Sequence, residues 1–279
     1  MAHEVNPSLP MPEGTPAELY EEFAVPAIMA PCAARLIEYA GPRPGQRVLD
    51  VATGTGIVAR LVAPRVAPGG RVVGLDAHQE RLDIARRVAP PEYGIEWRAA
   101  DAQAIPFDDV SFDLVLCQHG LQFFPDRVAA LREARRVLVD GGQAVFAVWQ
   151  GLGQHPIDAA LSRALSEQLM ITLEHQAVPF VLGDREQTAA LFVSAGFRID
   201  EFRPVNITGY FPGGLARLVQ VNVVVYALTL PWLRGLDEAG KLALVDRILQ
   251  AIAPELEPFV EGDMIRMPKP AWFITARRE

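Results

Sequence analysis

A chain of 279 residues, half of them hydrophobic and 22% charged, has room for one large domain or a domain with a cap, and its composition excludes a disordered or fibrous protein. A formal net charge of −8 without any basic stripe excludes broad contact with a nucleic-acid backbone, since Arg86-Arg87, Arg135-Arg136 and Arg277-Arg278 are pairs only. The two cysteines, Cys32 and Cys117, have no metal-ligand spacing and follow no secretory signal, which fits a reducing, cytoplasmic setting.

Residues 1–45 read as a proline-rich arm, with prolines at 7, 10, 12 and 16, followed by two short cap helices between Ala17 and Ala40 that Pro26 and Pro31 interrupt. After "GPRPGQ" the pattern alternates. Strand 47–52 leads to helix 56–66, and strand 71–76 to helix 79–88. Strand 95–100 and strand 112–118 ("FDLVLCQ", with Cys117 as a packing residue) come next, then a helix at 126–138, a "DGG" turn and strand 143–149. Continuous apolar strands between amphipathic helices predict a doubly wound, mostly parallel α/β sheet in residues 46–150. In residues 151–279, helical spacing joins Ile157, Leu161, Leu165 and Leu169, "REQTAALFVSAGF" reads as a helix, and "RIDEFRPVNITGYF" reads as a strand. Two more helices near 213–229 and 237–252, within an insertion at about 210–268, precede a closing strand at 271–278. That makes seven strands and a helical lid. The apolar stretch 215–233 is interrupted by Arg217, Gln220 and Asn222 and reads as a buried or lid helix, with no stable membrane insertion.

The chemistry concentrates in "VLDVATGTGIVARL". Gly54-Thr55-Gly56-Ile57-Val58-Ala59 satisfies the dinucleotide fingerprint in its G-x-G-x-x-A form. Asp50, at the strand end beside that turn, opposes a pyrophosphate and favours a ligand bearing an ammonium and a sulfonium but no phosphate. Asp76 closes the second strand, where a carboxylate can take ribose hydroxyls. Asp101 follows the third strand, where a carboxylate can accept from an adenine amino group, and Ala102 offers a backbone N–H beside it. Each of the three acids alone is equally well a helix N-cap; together they converge on one crevice of an open α/β sheet.

With "VLDVATGTG", "VVGLDAHQERLDIAR", "RAADAQAIPFDDVSFDLVLCQHGLQFFPD" and "EARRVLVDGGQAVFAVW", the chain resembles the class I S-adenosylmethionine-dependent methyltransferases with a Rossmann-like sheet. It is most similar to their bacterial small-molecule branch, which includes the ubiquinone/menaquinone-type C-methyltransferases. The resemblance runs from Tyr20 to Trp149. It implies S-adenosylmethionine as cofactor and S-adenosylhomocysteine as product. Asp50, Ala52, Gly54 and Gly56 would line the methionine and ribose side, Asp76 and Ala77 would hold the ribose, and Asp101 and Ala102 the adenine. Gln118 would lie beneath the sulfonium, and Tyr20 and Phe23 would close over the cofactor. Ala52 departs from the family, which most often has glycine there, and the helices of the insertion exceed its basic plan.

Methyl transfer needs alignment of nucleophile, methyl carbon and sulfur, and a base only where the acceptor must lose a proton. His119, where the fourth strand opens, is the candidate base and is also readable as a loop histidine bonded to backbone; His155, after the fifth strand, is the second candidate. His78 reads as a ribose neighbour or an exposed residue, and His3 and His175 as surface residues; no histidine spacing suits a metal. Apolar lid helices, with Phe123, Phe124, Trp149, Phe180, Phe211, Tyr226 and Trp232 shared between core and pocket, favour a hydrophobic or aromatic small-molecule acceptor, methylated on O or C. A homodimer is compatible with this reading. Two other classes stay open. A non-methylating cyclase would use the same cofactor structurally. An NAD(P)-dependent oxidoreductase would fit the fingerprint but lacks an evident Tyr-x-x-x-Lys pair.

Overall fold

The apolar runs of the first half form β1 (Arg47–Val51), β2 (Arg71–Asp76), β3 (Glu96–Ala99), β4 (Phe112–Gln118) and β5 (Leu138–Trp149) of a computed structural model that describes residues 10–169, 178–229 and 235–279. These five strands are parallel. Asp50 of β1 stands in register with Gly74 of β2 on one side and Leu116 of β4 on the other. The full order is β3-β2-β1-β4-β5-β8-β6, where β6 is Arg198–Pro212 and β8, antiparallel to β5, is Met264–Arg277. A two-residue β7 (Val260–Glu261) pairs with β8, so the seven expected strands gain an eighth. The chain leaves β1 toward β2 on one side and later returns to β4 on the other. Their carboxyl ends therefore bound the crevice at which open α/β sheets take ligands.

Two compact units divide the chain. The sheet unit comprises residues 30–151, 178–207 and 270–279, and the helical unit residues 1–29, 152–177 and 208–269. In the sheet unit, α2 (Ala30–Ala40), α3 (Ile57–Val66), α4 (Gln79–Val88), α5 (Arg127–Val137) and α7 (Arg185–Ser194) flank the strands. The buried core on one face joins Leu49, Val73, Val115, Phe146, Phe192 and Ile274. The helical unit holds α1 (Pro16–Leu19), α6 (Pro156–Leu169), α8 (Gly214–Thr229) and α9 (Glu238–Leu256), with α9 packed on both α6 and α8. An Arg163–Glu255 ion pair and a 3.0 Å bond from Arg247 Nε to Gln168 Oε1 tie α6 to α9.

Three expectations change. The prolines at 26 and 31 do not split the N-terminal region into two helices: Pro16–Ala40 is helical throughout, with a π-helical stretch at Tyr20–Met29 that contains Pro26. A wider turn relieves the clash that a proline ring makes with the carbonyl four residues back. Asp140-Gly141-Gly142 does not interrupt the chain before a strand at 143. The strand already begins at Leu138, and its register against β4 shifts between Phe112 and Leu114. The closing strand starts at Met264 instead of 271, because burial alternates through Ile265, Met267, Lys269 and Ala271. Pro268 and Pro270 precede its pairing with β5, so neither needs an N–H there.

Pro16–Ala40 is, among the described residues, long and apolar enough to cross a membrane, and half of its most apolar stretch is buried within the protein. The 215–233 segment is helical as far as it is described, to Thr229, and buries Leu218, Val219 and Val223. His3, His175 and Trp232 lie outside the described residues.

Candidate functional site

The turn after β1 is built by its carboxylates. Asp50 is fully buried, and its Oδ2 accepts from the Thr53 hydroxyl at 2.5 Å and from the backbone N–H of Ala59 at 3.1 Å. Gly56, the N-cap of α3, has no side chain to offer, so Asp50 caps that helix from the preceding strand. Burial pushes the Asp50 carboxyl up to about 7. The Thr53 and Ala59 bonds work against that rise, and the nearby charge of Asp76 adds to it.

Asp76, also buried, accepts from the backbone N–H of Gly54 on Oδ2 and from that of His78 on Oδ1, both at 2.9 Å. The His78 ring is largely exposed, with Nδ1 3.3 Å from Oδ1. Thr53 N–H donates to the Leu75 carbonyl at 2.9 Å. The loop after β1 is thus pinned to the end of β2 at two points.

Backbone strain concentrates here. Ala52 (φ +56°) and His119 (φ +53°) are left-handed without being glycine. Gly56 (φ +88°) is needed twice over, for its conformation and because a Cβ would lie 2.5 Å from the ring of Trp97. At Gly120, a Cβ would lie 2.5 Å from the Ala52 Cβ, so the turns after β1 and β4 meet at this point.

On the β3 side, Asp101 is exposed and forms a local turn, its Oδ1 accepting from the Gln103 N–H at 2.8 Å, while Ala102 is buried and Ala77 exposed. Gln118, at the end of β4, is half-buried. His119 is buried, with its ring stacked on Trp149 (centroids 3.4 Å apart, 14° between planes) and its Nε2 3.2 Å from Cys32 Sγ.

Asp50, Ala52, Gly54, Gly56, Asp76, Ala77, Asp101, Ala102, Gln118 and His119 all belong to the sheet unit. Tyr20, Phe23 and His155 belong to the helical unit. There, Phe23 stacks on Phe211 at 5.9 Å beneath the Arg217 guanidinium. His155 is wholly buried with Nδ1 3.9 Å from Asp158 Oδ2, which receives the buried Lys269 ammonium at 2.5 Å.

Sequence reasoning passed over Thr53, Thr55, Cys32 and Gln122. The threonines stand inside the quoted turn, where short hydroxyl side chains are a readable signal for bonds to a neighbouring carboxylate. Cys32 comes from a helix 87 residues before His119, and no local pattern announces the pairing.

The donor set fits S-adenosylmethionine. Two buried carboxylates suit an ammonium and ribose hydroxyls. The Thr55 hydroxyl and both amide atoms of Gln122 are buried and have no hydrogen-bond partner among the described residues, which marks them as groups able to serve a polar ligand.

A family model described as "Methyltransferase domain" matches residues 49–146, from β1 to β5. Demethylmenaquinone methyltransferase of Staphylococcus carnosus is 33% identical over 188 residues, 62% of this chain and 74% of its own. The chain belongs to the S-adenosylmethionine-dependent methyltransferases. The demethylmenaquinone methyltransferase of Thermus thermophilus is 44% identical over 113 residues, 40% of this chain and 50% of its own. This methyltransferase chain spans about half the length of the first curated relatives it matches. Among solved structures, phosphoethanolamine N-methyltransferase 2 of Haemonchus contortus, bound to phosphomonomethylethanolamine and S-adenosylhomocysteine, shares the fold. Its TM-score is 0.57 at 21% identity, over 94% of this chain and 56% of that one.

Proposed function

We propose that the protein transfers the methyl group of S-adenosylmethionine to a carbon or oxygen of a hydrophobic ring acceptor, of the class to which quinols belong. One observation carries the cofactor half of this reading: two buried carboxylates, Asp50 and Asp76, flank a glycine turn that a pyrophosphate would otherwise favour. The acceptor half rests on the relatives named as demethylmenaquinone methyltransferases.

The cofactor supplies an activated methyl on a sulfonium. The chain's own work is to bind, to align and to handle one proton. Asp50 and Asp76 receive the cationic tail and the ribose. Ala52, Gly54 and Gly56 present backbone at close range, and Ala77, Asp101, Ala102 and Gln118 complete the cradle. His119 would take the acceptor's hydroxyl proton: the pair left on oxygen would form the new bond to the methyl carbon in O-methylation, or would drive a ring π pair onto it in C-methylation, after which that ring carbon would lose its hydrogen as a proton; the cofactor would keep the methyl–sulfur pair.

The test is calorimetric titration with S-adenosylhomocysteine, NADH and NADPH in parallel, followed by mass spectrometry of a demethylated naphthoquinol and an apolar phenol incubated with S-adenosylmethionine. Binding of the first ligand alone and a methylated product are the expected results. Binding of a nicotinamide, or turnover of an acceptor without methyl uptake, overturns the proposal.

A further inference from the structure

We propose that Cys32 is the positioning residue for His119, holding the imidazole by Nε2 so that any proton exchanged with an acceptor passes through Nδ1. This rests on the reading of His119 as the residue that takes the acceptor's proton.

Three elements of the sheet unit converge on this ring. The turn after β4 supplies His119 itself, in a left-handed backbone conformation that few non-glycine residues adopt. The end of β5 supplies Trp149, whose indole covers one face of the imidazole at 3.4 Å between centroids. Helix α2 supplies Cys32, completely buried, with Sγ 3.2 Å from Nε2. Backbone, face and edge are each restrained. A ring held at its face alone can still flip about its last torsion, which swaps Nδ1 with Cδ2 and Nε2 with Cε1; the thiol at one edge removes that freedom.

The chemistry of the pair is that of a prop. Burial pushes the Cys32 thiol well above its usual range, so sulfur stays protonated and is no nucleophile. The thiol sulfur is a weak acceptor, so Sγ can take the Nε2–H of the neutral ring whose basic nitrogen is Nδ1. When His119 acts as base, its resting proton sits on Nε2, directed at Sγ, and the acceptor's proton arrives on Nδ1. Such a partner fixes which nitrogen works, as carboxylates and carbonyls do for histidines elsewhere. Trp149 adds a π-face against the imidazolium that forms.

The experiment reads the ring directly. Long-range proton–nitrogen correlation spectra of the full-length 15N-labelled protein report the tautomer of each histidine, and His119 is assigned by the signals lost in His119→Gln. Cys32→Ala should shift the His119 ring nitrogens and mix the two tautomers, while S-adenosylhomocysteine affinity stays within about twofold. Cys32→Ser, which keeps a donor and acceptor on the same Cβ, should return the spectrum toward wild type. Once a methylated acceptor is in hand, Cys32→Ala should lower kcat roughly tenfold or more without raising KM for the cofactor, and Cys32→Ser should recover part of the loss. Unchanged His119 signals in Cys32→Ala, or a serine variant no better than alanine, overturns the proposal. If Cys32→Ala disturbs the ring but His119→Gln transfers methyl at the wild-type rate, the contact stands and the base reading of His119 fails instead.

Discussion

The Asp50 carboxylate and the backbone N–H of Ala59 meet at 3.1 Å, so that the last turn of a strand caps the helix that follows the glycine loop. Asp50→Ala removes this cap and the Thr53 partner together, and should cost about 1–2 kcal/mol of stability. Asp50→Asn keeps an acceptor for Ala59 and should cost less. Urea unfolding at constant pH measures both, and equal losses would mean that the charge, not the cap, is what the site needs.

The same carboxyl makes stability depend on pH. Its folded pKa of about 7 lies above its ordinary 3.8, so the folded state binds the extra proton between those values. Its contribution is therefore fully present below about pH 4 and is lost as pH rises through about 7. Unfolding curves of the ligand-free protein at pH 5 and pH 8 should show wild type losing stability relative to Asp50→Asn. An identical pH response in the two proteins would contradict a raised Asp50.

A cationic ligand reverses the preference, because its ammonium favours the ionised carboxylate. Cofactor binding should then expel a proton, and S-adenosylmethionine affinity should rise between pH 5 and 7 by at most about tenfold per pH unit, flattening above 7. Titration calorimetry in buffers of different ionisation enthalpy counts the proton released. No release at pH 6 would mean that Asp50 does not face the ligand's charge.

The sheet was legible because its signals are local. β2, α4 and β4 have the bounds that their apolar runs and periodicity predict, and the acidic residues at three strand ends are fixed once the strands are. What escaped the sequence is long-range or conformational. Cys32 and His119 are 87 residues apart, and the Asp50–Ala59 cap requires knowing that Gly56 turns left-handed. β8 begins at Met264, ahead of the apolar run 271–278, and its two prolines fall where the strand is not paired with β5. The π-helical passage around Pro26 has no period of its own to find.

Ala52 is the departure from the family's glycine, and it sits at φ +56° with its Cβ facing Gly120. Ala52→Gly removes a left-handed strain of about 1–2 kcal/mol and adds unfolded-chain freedom worth about 0.4–1 kcal/mol, so a net gain between about 0 and 1.6 kcal/mol is expected. Gly120→Ala does the opposite: its methyl would lie 2.5 Å from the Ala52 Cβ, and the cofactor turn must move. Combining the two changes should restore part of the S-adenosylhomocysteine affinity lost in Gly120→Ala. No recovery would place the clash of the new methyl elsewhere, for example on the Cys117 sulfur, 3.0 Å from the same position.

In the helical unit, Lys269 is almost wholly buried and its ammonium lies on Asp158 Oδ2, beside His155 and with Tyr226 in its field. Burial first, and Asp158 second, push the Tyr226 phenol up. The two ends of the ion pair are not equivalent, since the Asp158 side chain keeps a quarter of its exposure and Lys269 keeps almost none. Asp158→Asn takes the Oδ2 counter-charge from a buried ammonium and should cost about 3 kcal/mol. Lys269→Met leaves a carboxylate that water can still reach, fills the space with apolar chain and should cost less. Asp158→Asn combined with Lys269→Met should then be more stable than Asp158→Asn alone, which a double-mutant cycle by urea unfolding measures. Simple addition of the two losses would mean that the two charges act independently despite their contact.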